Sequence, residues 1–509
     1  MSSSPPEGPS ARLHRDQAAN SSRRRFDFTT EVPAADSLGS VHFIAIGGAG
    51  MSGVARVMLA RGMTVSGSDA KDSLVLTALA AEGAAVHIGH DVSHLAAADT
   101  VVISSAIRED NLELLAARAR GLRVLHRSQA LASVMRGSRR VAVAGTNGKT
   151  TTTSMLTVAL QACGVDPSFA VGGELAKHGT NAHLGTGDIF VAEADESDGS
   201  FLVYRPDVAI VTSVQPDHLD FYGTFEAVQA AYAEFAATVQ PAGLPIACAD
   251  DPGSRVLAEV AAMAGTRVMT YGMAADADVR LTAPGGAGFH GHGDLVQAGV
   301  LLGSLEIGMP GRHNLLNATA AFVAATEGLG QDPGRVLEGL AGFTGTRRRF
   351  EPKGEVVGVR VVDDYAHNPG KVAAVVETAR GLAAPGRLIV VFQPHLYSRT
   401  RDFAAELATA LSPADIVIVM DVYAAREDPM PGVSGALIAN QLVGTAHLRG
   451  EHVRFMPFWS DVAPYVAQVA QEGDLVLTVG AGDVTMIGPE VLRLLGDRAD
   501  ATKAAQGQK

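Results

Sequence analysis

Lys149 and Thr150 stand directly after a glycine turn, in a run from Arg140 to Thr153 that reads RVAVAGTNGKTTTT. An apolar strand, a turn and a helix start in that order cradle phosphate. Gly145 and Gly148 let backbone N–H groups approach oxyanions, and the helix start adds partial positive charge. Lys149 would reach the outer phosphates, and the Thr150 hydroxyl would ligate Mg²⁺. The loop is abbreviated. The common pattern has four residues between its first glycine and the Gly-Lys pair, but here only Thr146 and Asn147 follow Gly145, and Val143 occupies the place of that first glycine. This shortened form points to a narrower group of ATP users, with Thr151 in the next helical position.

Further polar clusters follow other apolar runs. Glu193, Asp195, Glu196 and Asp198 lie just past one such run. Like charges crowded at a strand end are costly unless a cation balances them, so the expectation is metal binding with Glu193 as ligand. Asp217-His218 ends another strand, and His218 with Glu193 is the candidate for a second Mg²⁺, complementing Thr150. Asn314 and Asn317 lie one turn apart on a helix, placed to hydrogen-bond a base or a phosphate. Arg348 and Arg349 precede Asp363-Asp364-Tyr365-Ala366-His367-Asn368, and such an arginine can neutralise a phosphoryl group in transfer. Arg399 follows a further strand and suits a substrate carboxylate. Near the N-terminus, Gly48, Gly50 and Gly53 match the dinucleotide fingerprint, with Asp69 about twenty residues on. A diphosphate of any kind satisfies that geometry. A UDP-linked substrate is therefore as good a reading as NAD, with Ser68 or Asp69 near a ribose.

The elements that must carry these groups alternate strand and helix. Strands are expected at Val41–Ile46, Met63–Ser66, Thr100–Ser104, Asp188–Ala192, Val208–Val214, Pro245–Ala249, Val356–Val362, Arg387–Phe392, Ile416–Met420 and Leu475–Val479. Helices are expected at Val54–Ala60, Leu74–Ala81, Leu112–Ala119, Asn314–Glu327 and Pro333–Ala341. That alternation implies mostly parallel sheets covered on both faces. Between Asp276 and Met309 the pattern changes to a small antiparallel patch. With 509 residues the chain suggests about three domains, expected at 37–138, 139–345 and 346–496. Residues 1–36 and 497–509 read as disordered tails. A net charge of −13 argues against a nucleic-acid-coating role, and 47% apolar content without a bilayer-length run argues against membrane insertion. Two cysteines build no disulfide framework, which fits a cytoplasmic location. Oligomeric state is left open.

Taken together, the glycine turn at 47–53, the shortened loop, Glu193–Gly199, Asp217–Tyr222, Asp363–Pro369 and Phe392–Thr400 resemble the Mur ligase family, and within it the alanine-adding branch. The resemblance covers Val41 to about Leu495. It implies an α/β three-domain architecture: an N-terminal Rossmann-like UDP-binding domain, a central P-loop ATPase domain and a C-terminal Rossmann-like domain. It also implies ATP as substrate, two Mg²⁺ ions, and ligation of L-alanine to UDP-N-acetylmuramate. Carried over, Gly47, Gly48, Ala49, Gly50, Met51, Ser68, Asp69 and Ser104 would bind the UDP-sugar. Gly145 to Thr151, Asn314, Asn317 and Arg349 would bind ATP. Lys149, Glu193, His218, Arg348 and Asp364 would serve catalysis, and Tyr365, His367 and Arg399 would hold the amino acid. Two positions depart from that branch: Asn147 stands where histidine is usual, and Asn368 replaces the second of two histidines. The competing expectations are a family member adding another amino acid or peptide, and an NAD-dependent oxidoreductase.

Overall fold

The computed structural model describes residues 26–175, 179–425, 427–443, 448 and 450–507. They form two compact units. The first, reaching to Gly285 and including Gly291–Gly308 and Asn314–Thr344, contains two sheets. The second contains Gly286–His290, Met309–His313 and the chain from Gly345 onward, with the third sheet.

In the first sheet, strands of four or five residues lie in the chain order 3-2-1-4-5, all parallel. Val41–Ile44, the first strand, is fully buried and sits where the strand order reverses. In open α/β sheets that reversal leaves a crevice at the strand's carboxyl end. The following helix begins at Ala49, five residues earlier than expected, and runs to Ala60. Its glycines allow close packing: a methyl at Gly50 would come 2.6 Å from Arg127 Nη1, and one at Gly53 would come 3.3 Å from Ala182. Residues 26–36, expected in a disordered tail, pack onto this unit. Phe28 is buried, and both Phe26 and Phe28 lie 5.3 Å from the His126 ring. Two large aromatic rings supply apolar area that a compositional reading of a Ser/Pro/Arg-rich stretch averages away. Residues 1–25 lie outside those described.

The second sheet has ten strands. At its centre Arg139–Ala144 runs parallel between Ile189–Glu193 and Val208–Val211, so the loops after all three strands open on one edge. The expected antiparallel patch is present as Val279–Ala287, His290–Gln297 and Val300–Ile307, with the last two antiparallel. It is not a separate patch, because Val279–Ala287 pairs parallel with Met269–Gly272 and extends the same sheet.

The third sheet has six strands. The single strand expected at 356–362 is a hairpin, Glu351–Val356 against Val359–Asp364. Val357 and Gly358 both take positive φ at its tip, a two-residue turn that favours Asn-Gly and that a valine disguises. Val359–Asp364, Leu475–Val479 and Leu388–Phe392 are parallel neighbours, so the loops after them share one edge. The C-terminal segment expected to be disordered is helical from Ile487 to Gly507. Arg493 pairs with Glu490 and Asp497 at one-turn spacing, and Arg498 donates to the Ala467 carbonyl, which anchors the helix.

Candidate functional site

The shortened loop is held by its neighbours before any ligand is considered. Gly145 and Gly148 have φ of 135° and 84°. A methyl on Gly145 would collide with Thr212, and one on Gly148 with the Asn317 side-chain oxygen. The Thr146 N–H donates to the Ser213 carbonyl at 2.9 Å, and the Asn147 N–H to the Ser213 hydroxyl at 3.0 Å. Asn147 also donates its side-chain N–H to Gln215 Oε1 at 2.9 Å, and Gln215 in turn donates to Asp251. Asn147 therefore serves as a hydrogen-bonding strut, a task that does not require an imidazole.

Lys149 opens the helix Lys149–Ala162 and donates to the Gly145 carbonyl at 2.6 Å and to Glu196 Oε1 at 2.9 Å. Burial would lower its pKa, but Glu196 first and Asp195 next outweigh that and raise it, so the ammonium stays charged. Thr150 donates its hydroxyl to Glu193 Oε1 at 3.0 Å, while the Gly172 N–H donates to Glu193 Oε2 at 2.7 Å. A hydroxyl and a carboxylate side by side at a phosphate loop are hard oxygen donors, which suit Mg²⁺ completed by ATP phosphates and water. Among the described residues no group of three or more His, Cys, Asp or Glu side chains is spaced to hold a metal unaided.

The acidic run is balanced differently from the sequence expectation. Arg127 pairs with Asp195 at 3.1 Å, His126 faces Asp198 at 3.3 Å, and Lys149 faces Glu196 at 2.8 Å. Arg127, Lys149 and the His126 ring thus engage three of the four carboxylates, while Glu193 accepts from the Thr150 hydroxyl and the Gly172 N–H. Against burial, His126 and the Ser105 hydroxyl hold the Asp198 carboxyl well below the usual carboxylate range. His218 lies 3.8 Å from Glu196 and 4.0 Å from Asp217, so the carboxylate it neighbours is Glu196. Asn317 lies against the loop as expected, and Asn314 is buried one turn earlier in the helix Arg312–Val323. Thr151 is buried in the first helical turn. Sequence reasoning placed Glu196 in the acidic run but missed its pairing with Lys149, and it missed the roles of Arg127, Ser213 and Gln215. The available signal was position: each lies in or beside a loop at a strand's carboxyl end.

At the turn after Val41–Ile44, the Gly47 N–H donates to Asp69 Oδ2 at 2.9 Å. Gly48 caps the helix that starts at Ala49, with Met51 buried beneath. The Ala49 carbonyl accepts from Asn181 Nδ2 at 2.6 Å. Ser104 is half-buried at the end of the fourth strand, Thr100–Ile103. Ser68 does not face the crevice: it is fully buried, and its hydroxyl donates to Glu113 at 2.6 Å. Asp69 is thereby the ribose candidate of the two.

In the second unit, Arg348 is not free to meet phosphate. Its guanidinium donates to the carbonyls of Gly480 at 2.7 Å and Gly482 at 3.2 Å, and lies 4.8 Å from the Tyr365 ring centre. Arg349 stacks on the same ring at 5.3 Å. Asp364 accepts from the backbone N–H groups of Phe350 at 2.8 Å and Ala366 at 2.7 Å, engaging both oxygens. Burial raises its pKa despite Arg349. Arg348 and Asp364 are thus both held by hydrogen bonds within this unit. His367 lies edge-on to Tyr365, and its Nδ1 is 2.9 Å from the Tyr365 carbonyl. Burial, then Lys371 and Arg399, push its pKa well down, so the ring is neutral. An acceptor carbonyl at Nδ1 assigns the proton there and leaves Nε2 as a base. Arg399 reaches His395 at 3.3 Å, and His395 lies 5.5 Å from His367. Asn368 caps the helix Pro369–Ala383, accepting from the Lys371 N–H at 2.9 Å. Tyr365, His367 and Arg399 are thus gathered in one cluster.

Three family models match the chain: the Mur ligase family catalytic domain over residues 40–139, the Mur ligase middle domain over 143–325, and the Mur ligase glutamate ligase domain over 348–482. A UDP-N-acetylmuramate–L-alanine ligase from Kineococcus radiotolerans is 57% identical over 466 residues, 91% of this chain and 97% of that one. The solved UDP-N-acetylmuramate–alanine ligase from Thermotoga maritima is 27% identical, with a TM-score of 0.74 over 91% of this chain and 99% of its own. A murein peptide ligase from Psychrobacter arcticus is 25% identical, with a TM-score of 0.66 over 90% and 99%.

Proposed function

The chain belongs to the Mur ligase family and is a ligase joining L-alanine to UDP-N-acetylmuramate in peptidoglycan synthesis with ATP as substrate, and we propose that it does so through an acyl phosphate formed over the Gly145–Thr150 loop. A carboxylate is a poor electrophile, and the chemistry must first convert one of its oxygens into a leaving group. The sugar-borne carboxylate oxygen attacks the γ-phosphorus, and the bond to ADP breaks. The alanine nitrogen then attacks the acyl carbon, loses a proton, and inorganic phosphate departs with the electron pair of the C–O bond.

The pair made by Lys149 with Glu196 carries this reading. A buried ammonium needs an opposite charge, and an incoming γ-phosphate would replace Glu196 as that partner. Lys149 then neutralises charge as the phosphoryl group moves between two anions. Thr150 and Glu193 would hold Mg²⁺, which when bound supplies further charge neutralisation on the phosphates. Glu196 and Asp217 keep His218 beside the loop. Asn314 and Asn317 are assigned to the nucleotide, and Arg349, with Arg348 and Asp364, to the ATP chemistry. UDP-N-acetylmuramate is assigned to Gly47–Met51, Asp69 and Ser104, with Arg127 beside them. Alanine is assigned to Tyr365, His367 and Arg399, the arginine forking onto its carboxylate. The neutral His367 Nε2 is suited to accept the amine proton. We keep domains at 37–138, 139–345 and 346–496. ATP use and two free thiols support a cytoplasmic location, and among the described residues no helix is long and apolar enough to cross a membrane.

The test is ADP release from purified protein with UDP-N-acetylmuramate, ATP and Mg²⁺, offered a panel of amino acids and peptides. L-alanine should be fastest, with glycine and L-serine weaker. A faster peptide substrate would overturn the assignment in favour of a recycling ligase.

A further inference from the structure

Behind the glycine turn of the first sheet lies a buried carboxylate that the ligation chemistry does not use. Glu113 stands in the first turn of the helix Leu112–Ala119 and is fully buried. Its Oε2 accepts from the Ser68 hydroxyl at 2.6 Å and lies 2.9 Å from His90 Nδ1. Its Oε1 lies 2.9 Å from His94 Nδ1, accepts from the Asp91 N–H at 3.3 Å, and is 3.7 Å from His42 Nε2. His42 Nε2 is itself buried without a hydrogen bond, while its Nδ1 meets the Ser66 hydroxyl at 2.9 Å. The His87 ring stacks on His94 at 4.1 Å.

In this cage His90 and His94 each aim Nδ1 at a carboxylate oxygen, and His42 aims Nδ1 at a hydroxyl. Burial pushes the Glu113 carboxyl up, but the nearby His42 ring and hydrogen bonds with Ser68, His94 and His90 bring it down to about 2. Burial first, then His94 and His42, hold the His87 pKa down. Asp91 faces solvent with its carboxylate on Ser93, so it offers the cage no second anion.

What the carboxylate grips leads to the nucleotide crevice. Ser68 precedes Asp69, whose side chain accepts from Gly47 and whose carbonyl accepts from the Gly89 N–H at 2.7 Å. The Ser68 carbonyl accepts from the Ile46 N–H at 3.0 Å. We propose that Glu113 is a positioning residue for the UDP-sugar: through Ser68 and the His90–His94 turn it sets the strand ends that carry Asp69 and Gly47. This rests on assigning the UDP-sugar to the turn at Gly47–Met51.

The experiment is steady-state kinetics of the full chain at pH 7.5, varying each substrate in turn, for wild type, Glu113→Gln, Ser68→Ala and Gly48→Asp. Gly48 has an ordinary φ of −62° and an open Cβ direction, so aspartate there caps the helix yet places a negative charge where the diphosphate binds. It reports on the site assignment alone. Glu113→Gln and Ser68→Ala should raise the UDP-sugar KM about 10-fold at pH 7.5, the scale of one lost hydrogen bond to a charged group. The KM values for ATP and alanine, and kcat, should stay within about two-fold. Should Glu113→Gln fold poorly, Ser68→Ala decides. An unchanged UDP-sugar KM in Ser68→Ala and Glu113→Gln, with a raised one in Gly48→Asp, overturns the proposal and leaves the site assignment standing. If Gly48→Asp also leaves it unchanged, the assignment fails and the proposal with it.

Discussion

Two glycine turns, each leading from a buried parallel strand into a helix, are built alike and charged differently. Gly148 caps one helix at φ 84° and Gly48 the other at φ −62°. Behind Gly148 lie Lys149 on Glu196 and Thr150 on Glu193, and the backbone is clamped by Ser213 and Asn317. Behind Gly48 lies Asp69 on the Gly47 amide, with Arg127 to one side. Both turns offer amides and a helix start to an anion. Only the first adds an ammonium able to neutralise negative charge, beside a hydroxyl–carboxylate pair of hard oxygen donors. A shared backbone device thus serves transfer in one place and holding in the other, and the side chains within about 4 Å make the difference.

The largest expected effect tests the transfer site directly. Lys149→Ala should lower kcat by about 10²–10³-fold, the scale of losing one preorganised donor to developing charge, while UDP-sugar binding measured by calorimetry stays near wild type. Retained turnover would erase the contrast between the turns. Glu193→Gln should cost somewhat less, about 10²-fold at low Mg²⁺, and part of the loss should return as Mg²⁺ is raised, read by ADP release. The same substitution at the two caps sharpens the comparison further. Gly148→Ala must place a methyl against Asn317 at positive φ, and should raise the ATP KM about 10-fold and cost about 1 kcal/mol of stability. Gly48→Ala has an open approach, with nothing nearer than 3.6 Å, and should change the UDP-sugar KM less than about two-fold.

The smallest effect is on acid stability. Glu113 has a folded pKa of about 2, below its ordinary 4.5. Its contribution is therefore complete above pH 4.5 and fades as pH falls toward 2. Chemical denaturation should find wild type more stable than Glu113→Gln at pH 6, with the gap narrowing steadily below pH 4.5.

Most elements were legible because short apolar runs bounded by glycine mark buried parallel strands, and Leu475–Val479, Leu74–Ala81, Leu112–Ala119 and Pro333–Ala341 fall where periodicity puts them. The hairpin at Val357-Gly358 was hidden by a valine in a positive-φ position, and the C-terminal helix by a polar composition that is stabilised through pairs such as Arg493 with Glu490. In the site, the phosphate loop was legible because its residues are contiguous. The roles of Arg348 and Ser68 were not, since each side chain is engaged by partners distant in the chain, the Gly480–Gly482 carbonyls and Glu113.

The linear order of residues determined the strand–turn–helix units, the abbreviated phosphate loop and the family, because local backbone chemistry and spacing are written in consecutive positions. Which carboxylate meets which cation was decided only by the folded chain. Asp195 with Arg127, Glu196 with Lys149 and Glu113 among four histidines are pairings across 68, 47 and up to 71 positions. Charges separated by such lengths of chain interact strongly only once the sheets bring them to contact and exclude water between them.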